Sequence, residues 1–140
     1  MKILVPVDGS AYTQRMLDYI GRQDEVLGPR HQYTLCTVVP PVSARASSFL
    51  SHQDVESYYR DEAATVLAPL QAFIDRPGWT VKTLHLIGSP AAAIAELAEK
   101  DGYEMIVMGT HGHTVFGSVV MGSVTTGVIG RCTLPVLLIQ

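Results

Sequence analysis

Two kinds of apolar segment alternate along this chain. Short, nearly continuous runs occur at Lys2 to Val7 (KILVPV), Gln32 to Val39 (QYTLCTVV), Tyr103 to Met108 and Pro135 to Ile139 (PVLLI). Runs of that length bounded by turn residues predict strands buried on both faces. Trp79 to Ile87 alternates poorly and carries Thr80, Lys82 and His85, which predicts a strand at a sheet edge. Between the runs, apolar residues recur at helical spacing: Tyr12, Met16, Leu17 and Ile20; then Val55, Tyr59, Val66, Leu70, Phe73 and Ile74. Ala91 to Lys100 is a third helix, rich in small residues that permit close packing on a sheet.

The polar positions between these segments mark where each begins and ends. Asp8-Gly9-Ser10 closes the first strand, and Ser10 is placed to cap a helix at Ala11 that stops at Gly28-Pro29. Pro40-Pro41 ends the second strand, because neither proline can donate to a ladder. Val42 to Leu50 reads as a longer connection, with Phe49-Leu50 as a packed tip in preference to a flap over a site. Ser51 and Asp54 resemble a capping box for the long helix, and Pro69 predicts a kink or a local break within it. Gly88-Ser89-Pro90 is a helix start, with serine as cap and proline at the first helical position. His31 and His52 lie beside turns and are expected to face solvent.

Strict strand–helix alternation predicts an α/β fold, an open five-stranded parallel sheet with helices on both faces. Right-handed crossovers restrict its topology, and the order 3-2-1-4-5 sets strands 1 and 4 side by side. Ligands in such sheets bind outside the carboxyl ends of the strands at that switch point. Asp8 ends strand 1 and Gly109 ends strand 4, so two features about a hundred residues apart converge on one crevice.

Composition narrows the partners. Residues 1–140 make one domain with enough chain for a full core. Ten basic residues are scattered against 13 acidic ones, for a net charge of −3, which argues against a nucleic-acid surface. No apolar run approaches a membrane span, and Met1-Lys2 leads directly into the first strand with no room for a leader, so a cytoplasmic location is expected. Cys36 and Cys132 have no metal-type spacing and read as packed thiols in a reducing compartment. Arg131, at the end of the last helix, complements its dipole.

The chemistry concentrates between Met105 and Arg131. The strand ends at Gly109, a loop carries Gly112 and Gly117, and a further break at Gly122-Ser123 opens a helix with Ser123, Thr125 and Thr126 at its start. Strand, glycine-rich loop and helix N-terminus in that order form a backbone anion site. No lysine or arginine lies between Gly109 and Ser123, so any phosphate would be held by N–H groups and hydroxyls. A Walker A lysine is missing, and so is a G-x-S-x-G elbow. His111, His113 and a more distant His85 form an incomplete set for zinc.

The spacing Gly109-x2-Gly112-x9-Gly122-Ser123 resembles the motif of the universal stress protein family, in its nucleotide-binding branch. The VPVDGS opening, VVPP, GSP, GTHG and LPVLLI extend the resemblance over essentially the whole chain. It implies a Rossmann-like fold of the adenine nucleotide alpha-hydrolase type and an ATP-type ligand, or AMP or ADP, with Mg²⁺. Position by position, it implies nucleoside contacts at Pro6, Val7 and Asp8, at Val38, and at Met108 and Gly109. Ribose and phosphate contacts would follow at His111, Gly112, Gly122, Ser123, Val124 and Thr125. Many nucleotide-binding members carry arginine where this chain has His113, which cannot make arginine's bidentate fork with phosphate. Weaker triphosphate binding is the expected consequence.

The resemblance implies a stress-linked regulatory or sensor module with an unidentified protein partner, and no turnover catalysis. A slow Mg²⁺-dependent ATPase using Asp8 is one alternative. A non-nucleotide interaction protein with a purely structural glycine loop is another. Val136 to Ile139 would be an unblunted sheet edge, inviting a second copy of the chain in a two-fold dimer, as the resemblance also implies.

Overall fold

The first strand shows why this sequence makes a two-faced sheet. Ile3 and Val5 project to one side and Leu4 to the other, and all three are fully buried. A computed structural model describes residues 1–111 and 121–140. Its strands are β1 (Lys2–Pro6), β2 (Gln32–Val39), β3 (Thr80–Ile87), β4 (Met105–Gly109) and β5 (Val136–Ile139). All pair in parallel, in the order β3-β2-β1-β4-β5. That is the expected topology, with β1 and β4 adjacent through Ile3↔Met105 and Leu4↔Ile106.

Helices cover both faces. On one, α1 (Ala11–Arg22) buries Met16, Leu17 and Ile20 against Ile3, Val5, Tyr33 and Val107. Phe73 joins the same core from α5 (Gln71–Ile74), which follows α4 (His52–Leu67). On the other, α6 (Pro90–Lys100) and α7 (Ser123–Ile129) set Ile94, Ala98 and Val128 against Leu4, Ile106 and Met108. A Cβ added at Gly127 would lie 2.6 Å from the Ala91 Cβ, so glycine lets α7 close tightly on α6. Among the described residues no helix is long and apolar enough to cross a membrane.

The long helix breaks locally around Pro69: α4 stops at Leu67, and a single 3₁₀ turn, Ala68–Leu70, leads into α5. The capping box also forms. Ser51 Oγ accepts from Asp54 N at 3.1 Å, and Asp54 Oδ2 accepts from Ser51 N at 3.4 Å. Replacing Ser51 with alanine should therefore cost about 1 kcal/mol and lower the thermal midpoint by about 4 °C. Calorimetry checks this, and an unchanged midpoint would mean that the cap contributes nothing.

Several local expectations need correction. The first helix leaves helical geometry at Gln23 and does not run to Gly28, because Arg76 Nη2 donates to the Gly21 carbonyl at 2.9 Å and closes the helix there. A separate turn of helix, α2 (Asp24–Leu27), precedes Gly28. The Val42 to Leu50 connection contains a short helix, α3 (Ala44–Ser47), capped by the Ser43 hydroxyl. Phe49 is not packed: it is 83% exposed. His31 does not face solvent. It is 7% exposed, with Nε2 3.0 Å from the Val26 carbonyl and Nδ1 2.9 Å from the Met1 nitrogen. Strand limits move by one or two residues, and Gly109 belongs to β4, opposite Ile139.

Candidate functional site

Where β1 and β4 run out side by side, their chains part, one towards α1 and the other towards α7. A cavity of about 320 Å³ opens between them, within the size range of small-ligand sites. Its floor is Pro6, Val7 and Asp8 from the end of β1, Val38 from β2, and Met108 and Gly109 from β4. Its other side is His111 with Gly122, Ser123, Val124 and Thr125 at the start of α7. These are eleven of the thirteen positions expected from the sequence. Gly112 and His113 lie outside the described residues.

Asp8 owes its position to a tight turn. Gly9 takes φ +76°, a conformation other residues rarely adopt, and the Ser10 amide then donates to Asp8 Oδ1 at 3.0 Å. Thr13 Oγ1, one helical turn on, also donates to Asp8 Oδ1 at 3.0 Å and accepts from the Asp8 amide at 3.2 Å. The carboxylate is thus both a turn-former and a wall of the cavity. Ser10 occupies the cap position of α1, but its side chain makes no cap bond, and among the described residues its buried Oγ has no partner.

The glycine at 122 is used for close approach. Its amide donates to the Thr110 carbonyl at 2.6 Å, and a Cβ there would stand 3.3 Å from that same oxygen. That contact draws the start of α7 onto the end of β4. Its N–H is therefore engaged by protein. The Thr125 hydroxyl is engaged likewise: the residue is 3% exposed, and its hydroxyl donates to the Gly109 carbonyl at 2.9 Å. Thr126 Oγ1 turns back to the Gly122 carbonyl at 3.1 Å. The hydroxyl left facing the cavity from this cluster is that of Ser123, which is exposed. The amides of Ser123, Val124 and Thr125 open α7, where helical geometry supplies no carbonyl acceptor.

His111 closes the mouth. Its Nδ1 lies 2.9 Å from Thr110 Oγ1, and its ring stacks on Tyr12 at 5.2 Å between centroids. Tyr12 was expected in the core by its spacing with Met16; instead it is half-buried at the lip.

Besides Cys36, six lining residues were not identified from the sequence: Thr13 and Met16 of α1, Thr37 of β2, Val66 of α4, and Pro90 and Ile94 of α6. Met16, Val66 and Ile94 sit on apolar helix faces, so spacing marks them as core; only the packing of the helices over the strand ends reveals them as lining. Cys36 also lines the cavity, where burial pushes its thiol up to about 12, so it stays protonated and inert near neutrality.

Electrostatically the site is sparse. Among its described lining residues Asp8 is the one carboxylate, and no lysine or arginine is present. Among the described residues no three His, Cys, Asp or Glu side chains come together to hold a metal. His85 stands exposed on the β3 edge, three strand spacings from β4, or about 14 Å. His85 thus stands well apart from His111, and His113, the third of that set, lies outside the described residues.

Residues 1–140 match the model of the Universal stress protein family. Universal stress protein MJ0531 of Methanocaldococcus jannaschii is 29% identical over 140 residues, covering 99% of this chain and 81% of its own length. Universal stress protein MJ0577 of the same organism is 30% identical over 87 residues, 62% of this chain; that match spans only 54% of the relative's length. The solved structure of MJ0577 superposes with a TM-score of 0.78 at 26% identity, over 99% of this chain and 94% of that one. Two further structures share the fold. A universal stress protein in complex with cAMP has a TM-score of 0.70 at 23% identity, over 100% and 97% of the two chains. The Archaeoglobus fulgidus protein in complex with dAMP has 0.68 at 22%, over 100% and 98%. Sheet order, full-length family match and whole-chain superposition agree: this chain belongs to the universal stress protein family.

Proposed function

We propose that the chain is a regulatory module that holds an adenine nucleotide in the cavity between the ends of β1 and β4. The observation that carries this reading is the meeting of the β1 turn at Asp8, the end of β4 and the start of α7 around one small-ligand cavity. The dAMP and cAMP complexes of relatives with the same fold support an adenine nucleotide as the ligand class. In this reading adenine lies among the apolar walls near Val38, Val66, Met108 and Ile94. The Asp8 carboxylate accepts from a nucleoside donor, and the Ser123 hydroxyl and the first α7 amides meet phosphate.

The charge of the site favours a monophosphate. A triphosphate would bring several negative charges beside Asp8 with no described lining lysine or arginine to offset them. Mg²⁺ takes oxygen ligands and usually keeps several waters. The donors present fit it poorly, since Asp8 Oδ1 already accepts two hydrogen bonds. A bound Mg²⁺ would be held chiefly by the nucleotide's own phosphates. Fast hydrolysis calls for several charges aimed at the transferring group, which this lining does not offer, so the module binds a nucleotide without turning it over.

Denaturing the purified protein and chromatographing what it releases tests the ligand class. AMP or another adenine nucleotide in near-stoichiometric amount supports the reading. Release of none, together with no uptake of AMP or Mg-ATP on titration, would leave the glycine loop a structural device. The β5 edge, Val136–Ile139, is proposed to pair with a second copy. Sedimentation equilibrium should then give twice the 15.2 kDa chain mass, and the monomer mass at micromolar concentration would overturn the dimer.

A further inference from the structure

Tyr12 does not line the cavity, yet it packs against the residues that do. We infer that Tyr12 is a positioning residue for nucleotide binding, holding the His111 ring over the mouth of the site; this rests on the nucleotide reading above. Among the described residues, three contacts bear on the arrangement. The Tyr12 and His111 rings stack at 5.2 Å and 28°. Thr110, itself 3% exposed, places Oγ1 2.9 Å from His111 Nδ1 and so sets the rotation of the imidazole. The Arg15 guanidinium, one turn along α1, lies 5.4 Å from the Tyr12 ring and steadies that ring in turn.

The backbone leaves Tyr12 this room. A Cβ on Gly109 would come within 3.9 Å of the Tyr12 Cβ, so the tyrosine lies against the bare end of β4. His111 follows Gly109 by two residues and lines the cavity beside Gly122 and Ser123. An imidazole left mobile there would lose rotamer freedom whenever a ligand ordered it. Held by Tyr12 and Thr110, it meets the ligand already placed. Tyr12 reaches the ligand only through His111, so its contribution must vanish when His111 is removed.

A double-mutant cycle tests this with AMP as the probe. Tyr12→Leu should weaken AMP binding about three- to tenfold, the range of one aromatic stack. Tyr12→Phe, which keeps a ring, should restore binding to near the wild-type level. On a His111→Ala background, Tyr12→Leu should cause no further loss. An equal loss in both backgrounds, or no loss in either, overturns the proposal. Proton NMR of the wild type without nucleotide supplies a readout independent of binding and of variant folding. His111 ring protons shifted by the tyrosine ring current support the stack, and unshifted ones refute it. If wild type shows the shift but takes up no AMP, the nucleotide reading fails while the stack stands, and the positioning role is overturned with it.

Discussion

Gly122→Val is expected to weaken AMP binding by about ten- to a hundredfold while the protein still folds. The reason is local. Gly122 has φ −71° and ψ 162°, which valine can adopt, so the backbone itself is not strained. The difficulty is space. The new Cβ stands 3.3 Å from the Thr110 carbonyl oxygen and 3.9 Å from the His111 Cα, and the two methyl groups beyond it have to find room at the same junction. Relief requires α7 to withdraw from the end of β4, lengthening the 2.6 Å bond from Gly122 N to Thr110 O and shifting Ser123 and Val124 from their places on the cavity wall. Overpacking of this kind costs about 1–3 kcal/mol of fold stability; the affinity loss, about 1.4–2.7 kcal/mol for ten- to a hundredfold, comes separately from the displaced Ser123 and Val124. Titration calorimetry with AMP, paired with a thermal melt, separates the two effects. A cooperative melt with unchanged affinity would show that nothing binds near α7.

Asp8→Asn should cost a comparable factor, about tenfold or more, for a different reason. Asparagine retains an oxygen at the Oδ1 position, so it can still accept from the Ser10 amide and from Thr13 Oγ1 and keep the turn. It loses the negative charge that would strengthen a hydrogen bond from ribose or adenine. The substitution therefore separates two roles that one carboxylate performs together. A thermal midpoint within about 2 °C of wild type, alongside weakened AMP binding, assigns Asp8 to the ligand. Full affinity in this variant would reduce Asp8 to a turn-former.

Much of the architecture was legible because parallel strands buried on both faces leave a simple trace. The KILVPV run has no polar face because none of its middle residues meets water. The partly exposed β3 betrayed its edge position through Lys82 and His85. Asp8 and Gly122-Ser123 could be brought together on paper because each follows a strand that topology makes adjacent to the other.

What stayed hidden depends on where side chains point after packing. Spacing marks Val66 and Ile94 as apolar helix faces but not that these faces overhang the strand ends. Thr125 looked like a phosphate donor by its place in a Ser/Thr cluster. The Gly109 carbonyl, at the end of β4, accepts its hydroxyl instead. Gly122 reads in the sequence as a phosphate-loop glycine; in the fold its amide bonds the Thr110 carbonyl and lets α7 close on β4. His31 shows the reverse error. Its neighbours suggested a turn, whereas the Val26 carbonyl and the Met1 nitrogen enclose it.

The most direct test is titration calorimetry of AMP into wild-type protein freed of any bound nucleotide, in buffer without divalent cations. The account predicts saturable binding of one AMP per chain, tighter than ATP under the same conditions, with added Mg²⁺ narrowing that difference by screening the triphosphate. Binding of ATP alone would contradict the charge argument, and no saturable binding of either nucleotide at millimolar concentration would contradict the account as a whole.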